Sequence, residues 1–216
     1  MPIYPISGLW GLFQNFDLQS FLVLILVLCV SLSFHEMAHA WAAWRLGDDT
    51  AALQGRLTMN PLAHLDPIGS IVFLIAGIGW ARPVPVNPAR FDRKVSIKKG
   101  MMLTSLAGPT ANLLLATLSA LLFFVTWTIR LALADTGTAV LQILIALLER
   151  LYGANIILAV FNLLPVPQLD GFKIFGFALP DRPYYRLMSF QRYIGIAFFL
   201  LVFFARGLLT TLTSSV

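Results

Sequence analysis

The chain has 216 residues, of which 58% are hydrophobic and only 12% charged, and its mean hydropathy is +0.82. A soluble domain carries about 25% charged residues, so this composition excludes a water-soluble globule and points to a polytopic membrane protein. The net charge of +5 does not argue for nucleic acid, because the basic residues lie in loops between apolar runs, as in the cytoplasmic loops of membrane proteins.

Taken in chain order, the first long apolar run is Phe21 to Trp44, with Glu36 as its only charged residue. Its length suffices to cross a hydrocarbon core of about 30 Å. Ahead of it there is no basic stretch and no A-x-A-like site, so a cleaved signal peptide is not expected. The run Ile68 to Trp80 contains Gly69, Gly77 and Gly79. It is too short to span easily and reads as a re-entrant or partly buried segment. Arg82-Pro-Val-Pro-Val-Asn-Pro88 alternates proline with apolar residues, which suits an edge strand or an extended loop. A second span is expected over about Met101 to Thr128. The third is interrupted by Glu149 and Arg150, which suggests an interfacial piece over Val140–Leu148 and a crossing over about Leu151–Leu164. A fourth covers about Ile194 to Phe204.

The expected fold is therefore an all-α polytopic membrane protein of about four to six membrane segments, with a short extended or β segment near the candidate site residues. One domain, 1–216, is expected at this length, with its core at about 20–175. The lone cysteine, Cys29, can form neither an internal disulfide nor a cysteine metal cluster and reads as a small packing residue. Residues 1–44 contain no Lys or Arg, whereas 45–99 and 171–192 together hold twelve of the fifteen. The positive-inside rule assigns those two segments to the cytoplasm and both termini to the outside, provided 68–80 does not cross.

The strongest chemical signal is His35-Glu36-Met37-Ala38-His39, inside the first span. Residues four apart on a helix share a face, so both imidazoles can reach one metal ion, with Glu36 beside them as general base on an activated water. Zinc suits such ligands. A pair of helical histidines can also be a polar packing pair, but ionisable residues within a span are costly and usually functional. His39 lies near the cytoplasmic end of its run, which places the centre inside the membrane near that side.

A zinc site of this kind needs a third protein ligand. Asp170, in Asn162-Leu-Leu-Pro-Val-Pro-Gln-Leu-Asp170-Gly171, lies at the matching end of a later span. Pro165 and Pro167 break the helix there, and Gly171 permits a tight turn that could swing a carboxylate inward. The same residues also read as an Asp-Gly turn after a helix stop.

The His35–His39 motif in a first span, followed by Asn162–Gly171 and accompanied by Ser105-Leu-Ala-Gly-Pro-Thr-Ala-Asn112 between them, resembles the site-2 protease family of intramembrane zinc metalloproteases, peptidase M50. The resemblance implies Zn2+ bound by His35, His39 and Asp170, with Glu36 as the base. It also implies that Asn162 holds the substrate carbonyl or stabilises its oxyanion. The substrate would be a transmembrane protein, cut within the bilayer of the cell membrane.

The PDZ insertion and CBS tail of larger members are not expected. Asn112 reads equally as a partner of a ligand or as an interhelical hydrogen bond. His64, in Asn60-Pro-Leu-Ala-His64-Leu-Asp66-Pro67, resembles a stretch of short family members; a structural or gating role suits it better than a fourth ligand, which would fill the water position. The competing classes are a metal transporter and a catalytically inactive zinc-binding scaffold. A transporter favours polar residues along several spans and internal repeats, neither of which is evident. Glu36, which an inactive homologue would typically lack, is present.

Overall fold

A computed structural model describes residues 18–76, 80–133, 139–198, 200, 201 and 204. Among the described residues, three helices are long and apolar enough to cross a membrane: α1 (Leu18–Arg45), α5 (Ile97–Ala132) and α6 (Ala139–Asn162). Between α1 and α5 lie three short helices, α2 (Thr50–Leu53), α3 (Pro61–His64) and α4 (Pro67–Ala76), and a 3-10 turn at Pro88–Arg90. After α6 come α7 (Asp170–Gly176), α8 (Asp181–Ser189) and a helical stretch over 191–198. The described residues contain isolated β-bridges but no sheet. The protein is an all-α membrane protein.

Burial in this bundle is inverted relative to a soluble domain. On α1 the buried residues include Val27, Ser31, His35, His39 and Ala43, one every fourth position. On α5 they include Gly100, Thr104, Gly108, Asn112 and Ala116, again every fourth. Residues four apart share a helix face, so each helix turns a stripe of small and polar side chains inward. The large apolar residues, such as Leu114, Leu121 and Phe124 on α5, are exposed. Lipid is as apolar as leucine, so association of membrane helices relies on small residues and interhelical hydrogen bonds. α5 is the central element and packs against α1, α6 and α7. The α1 and α5 stripes run antiparallel, since Asn112 bonds to Ser31 and His35 while Thr104 bonds to His39.

α1 ends in a Schellman motif. Gly47 has φ +100°, its N–H reaches Trp44 O, and Asp48 N–H reaches Ala43 O, which satisfies the last carbonyls. Segment 66–80 leaves and returns at one place: Leu65 pairs with Ala81, Arg82 N–H donates to His64 O, and Gly69 lies against Trp80 O. It therefore does not carry the chain across the bundle, although Gly77 and Gly79 fall outside the described residues. Arg82–Pro88 is an extended loop rather than a paired strand, with Arg82, Val84 and Asn87 N–H donated to His64 O, Glu36 and Asp48.

The expected division of the third span does not hold. Residues Ala139–Asn162 form one uninterrupted helix through Glu149 and Arg150. Arg150 is accommodated because its guanidinium donates to Ser20 O and Oγ at 3.1 Å. The expected fourth span is helical over 191–198, with part of its remainder outside the described residues.

The two basic segments meet at one end of the bundle, where Lys98 Nζ lies 3.2 Å from Asp181 Oδ1. Single cysteines introduced by Lys94→Cys or Arg182→Cys into a Cys29→Ser chain are therefore expected to react with an impermeant thiol reagent from the same side of the membrane. Labelling from opposite sides would contradict this shared end.

Candidate metal centre

α1 presents His35 and His39 on one face, one turn apart, with their ring centroids 4.5 Å apart. The two Nε2 atoms stand 3.0 Å from each other. Asp170, the first residue of α7, brings Oδ2 to 3.2 Å from His35 Nε2 and 3.1 Å from His39 Nε2. All three residues are buried. Ligands about 2.0–2.1 Å from a tetrahedral zinc stand roughly 3.3–3.4 Å apart, so the three atoms approximate one face of such a tetrahedron.

Hydrogen-bond accounting shows what these atoms lack. His35 Nδ1–H donates to Asn112 Oδ1 at 2.6 Å, and His39 Nδ1–H donates to the Thr104 carbonyl at 2.8 Å. Both partners are acceptors, so each neutral imidazole carries its hydrogen on Nδ1 and a lone pair on Nε2. Asp170 Oδ2 is correspondingly buried without a hydrogen-bond donor, despite its nearness to both rings. Three lone-pair atoms thus face one another in an apolar bundle. A cation at their common centre satisfies all three, and this donor set fits zinc.

Close approach is made possible by glycine. A methyl built at Gly108 would lie 2.6 Å from His35 Cε1 and closer still to His39. The floor beneath the imidazoles is therefore the bare backbone of α5.

Asp170 is delivered by a tight turn after α6. Val166 N–H bonds to Leu164 O at 2.8 Å and Leu169 N–H to Val166 O at 2.9 Å. Gln168 takes φ +139°, a strained value for a residue with a side chain. Gly171 is needed for a different reason from the expected one: its Cα faces the Leu163 and Leu164 carbonyls, where a Cβ would clash.

Glu36 is buried beside the cluster, and its Oε2 accepts from Val84 N–H at 3.0 Å. The extended Arg82–Pro88 loop thus lies at the site. Arg56 holds that loop from behind by donating to the Arg82 and Pro83 carbonyls. Burial and the neighbouring Arg82 cation lower the Arg56 guanidinium below its ordinary value. Asn162 is the last residue of α6 and is half-buried, with Nδ2 donating to Leu158 O at 3.0 Å. His64 stands apart from the ligand cluster. It is 1% exposed, and Nε2–H donates to Thr58 O at 2.8 Å while its carbonyl receives Arg82 N–H, which is a structural attachment.

Several contributors had no motif to flag them. Thr104 contributes only its carbonyl. Asp48, fully buried, ties the far end of the loop through Asn87 N–H at 2.6 Å. Ser31 and Asn155 extend the polar contacts of Asn112; the signal for these two was a polar residue inside an apolar span.

The site is thus a buried His-His-Asp cluster with a neighbouring glutamate, set among helices apolar enough to cross a membrane. Residues 23–203 match the model of peptidase family M50. The chain is 39% identical over 195 residues to the protein named "Putative zinc metalloprotease YwhC" of Bacillus subtilis (strain 168), covering 88% of this chain and 84% of that one. It is 33% identical over 157 residues to Rip2 of Mycolicibacterium smegmatis and 35% over 161 residues to Rip2 of Mycobacterium tuberculosis, both named in the same way. In each Rip2 comparison the match covers 70% of this chain and 55% of the relative. No solved structure matches. The chain belongs to peptidase family M50, the site-2 protease family.

Gly108→Ala is expected to push the rings apart and weaken metal binding by about tenfold or more, the scale of lost support around a metal ligand. Helix content should stay unchanged. Metal titration of the purified variant checks this, and wild-type affinity would show that the contact is not limiting.

Proposed function

We propose that this protein is a zinc-dependent intramembrane endopeptidase that hydrolyses peptide bonds within or near the transmembrane segments of other membrane proteins. The observation that carries this reading is the convergence of His35, His39 and Asp170 beside Glu36 within and against a membrane-spanning helix. His39 is six residues from the end of α1, or about 9 Å at 1.5 Å per residue. The substrate's scissile bond must therefore reach a point inside the membrane. Because the basic segments share that end, the site lies near the cytoplasmic face of the cell membrane; the cysteine labelling described above, carried out on intact cells, tests this side.

His35 Nε2, His39 Nε2 and Asp170 Oδ2 hold the metal on this reading. Bound zinc supplies Lewis acidity, which acidifies a water and polarises a carbonyl. Glu36 takes the water's proton and passes it toward the departing amine. The Val84 amide orients the Glu36 carboxylate. Asn162 keeps a second Nδ2 hydrogen after its bond to Leu158, and this donates to the oxygen on which negative charge develops without adding a charge of its own.

Glu36→Gln is expected to retain zinc while cleavage of a transmembrane substrate falls by about 10²–10⁴. Asp170→Ala is expected to lose zinc as well, since only two imidazoles remain. Metal analysis beside a cleavage assay separates the two effects. Near-normal cleavage by the Glu36 variant would end this assignment, and full zinc in the Asp170 variant after dialysis against a mild chelator would remove Asp170 from the ligand set.

The substrate has its own constraint. An intact transmembrane helix hides its carbonyls in hydrogen bonds, so it must unwind at the cut. Gly costs about 1 kcal/mol and Pro about 3 kcal/mol in a helix interior, so such residues make unwinding easier. In a series of model substrates differing only near the cytoplasmic end of the span, Gly- or Asn-bearing spans are expected to be cut faster than an all-Leu span. Equal rates would show that unwinding is not limiting.

A further inference from the structure

We infer that Asn155 is a positioning residue for the metal centre, acting on His35 through the Asn112 side chain; this rests on the metal reading above. Asn112, Asn155 and Ser31 are all fully buried where α1, α5 and α6 meet. Their hydrogen bonds form a chain with a direction. Asn155 Nδ2 donates to Leu151 O at 2.8 Å and to Ser31 Oγ at 2.9 Å. Asn155 Oδ1 accepts from Asn112 Nδ2 at 2.7 Å, and the same Nδ2 gives its other hydrogen to Ser31 O at 3.3 Å. Asn112 Oδ1 then accepts from His35 Nδ1 at 2.6 Å.

The direction is set by an atom that cannot reverse. Leu151 O is a backbone carbonyl and accepts only. It obliges Asn155 to turn its NH2 group toward α6 and its Oδ1 toward Asn112. That oxygen obliges Asn112 to offer NH2 in return, which leaves Asn112 Oδ1 facing His35. An amide oxygen there requires the His35 hydrogen on Nδ1 and the lone pair on Nε2, where the ligand cluster is.

A carboxamide rotated by half a turn has nearly the same shape, so packing alone holds Asn112 only weakly against reversal. In the reversed state an NH2 group would face His35 and draw the imidazole lone pair to Nδ1, away from the metal. The Ser31 carbonyl opposes this reversal through its longer bond. Asn155 opposes it through the shorter one, and no other described side chain does so.

The test is zinc affinity, measured by chelator competition on the purified full chain in detergent, with helix content followed by circular dichroism. Asn155→Ala is expected to weaken zinc binding about tenfold or more. In an Asn112→Ala background the same change should cost less than about twofold, because its target is gone. Asn155→Asp keeps an oxygen acceptor toward Asn112 and should restore affinity to near wild type. This variant decides the matter if the alanine variant does not fold: affinity as weak as that of Asn112→Ala would overturn the inference. So would wild-type affinity in Asn155→Ala, or an equal loss with and without Asn112, which would mark a packing role. Wild-type protein that binds no zinc would remove the metal reading together with this inference, whereas zinc in the wild type and no effect at Asn155 removes the inference alone.

Discussion

His35 Nε2, His39 Nε2 and Asp170 Oδ2 stand 3.0–3.2 Å from one another, each presenting a lone pair, and all three residues are buried. Such an arrangement repels itself. Burying polar atoms without partners costs free energy in any protein, and within a membrane the backbone too must be satisfied internally. The surroundings hold the three atoms together all the same. Two hydrogen bonds fix the rings from their far sides, a glycine allows the approach, and a strained turn supplies the carboxylate. Three acceptors concentrated in this way could be satisfied together by one cation, and the proposed zinc-binding reading rests on that electrostatic demand.

The packing of the bundle serves the same constraint. α1 and α5 face each other along matched stripes of small and polar residues, with Ser31, His35 and His39 opposite Asn112, Gly108 and Thr104. The helix that must come closest to the imidazoles thus offers glycine where they project. It offers a carbonyl or an amide oxygen one turn to either side, where their Nδ1 hydrogens point. Affinity between helices and orientation of the ligands come from the same residues. Substitutions made for packing in this stripe therefore act on the metal centre as well.

Much of this was legible in the amino-acid sequence because it depended on local periodicity and composition. The apolar runs marked the spanning helices, and His35 and His39 shared a face by their spacing alone, with Glu36 beside them. Asp170 could be offered only as a candidate, since its approach to the histidines depends on Gln168 at φ +139°, a conformation glutamine does not advertise. The third span was divided in error at Glu149 and Arg150 because the partner of Arg150 is Ser20, 130 residues away. Thr104 was invisible because it acts through a carbonyl that every residue has. Asn155 shows the same limit: a single polar residue in an apolar run signals that something is bonded there, but not to what.

The Arg82–Pro88 loop shows how far an extended segment beside the site is already committed. Pro83, Pro85 and Pro88 have no N–H, which leaves Arg82, Val84, Val86 and Asn87 as its backbone donors. Arg82 N–H is taken by His64 O, Val84 N–H by Glu36 and Asn87 N–H by Asp48. The carbonyls of Arg82 and Pro83 are held by Arg56. The Asn87 and Pro88 carbonyls accept from Arg90 and Phe91 N–H, so edge pairing by an unwound substrate would depend chiefly on Val86 N–H and on the carbonyls of Val84, Pro85 and Val86. So short an edge contributes little affinity by itself, since each hydrogen bond exchanged against water nets only about 0.5–1.5 kcal/mol. The loop is fixed at both ends and bonded to Glu36 in the middle, so on the proposed reading a chain laid along it would enter in a defined register with Glu36. Attachment of this loop at both ends, rather than a long pairing surface, is what its hydrogen bonds provide.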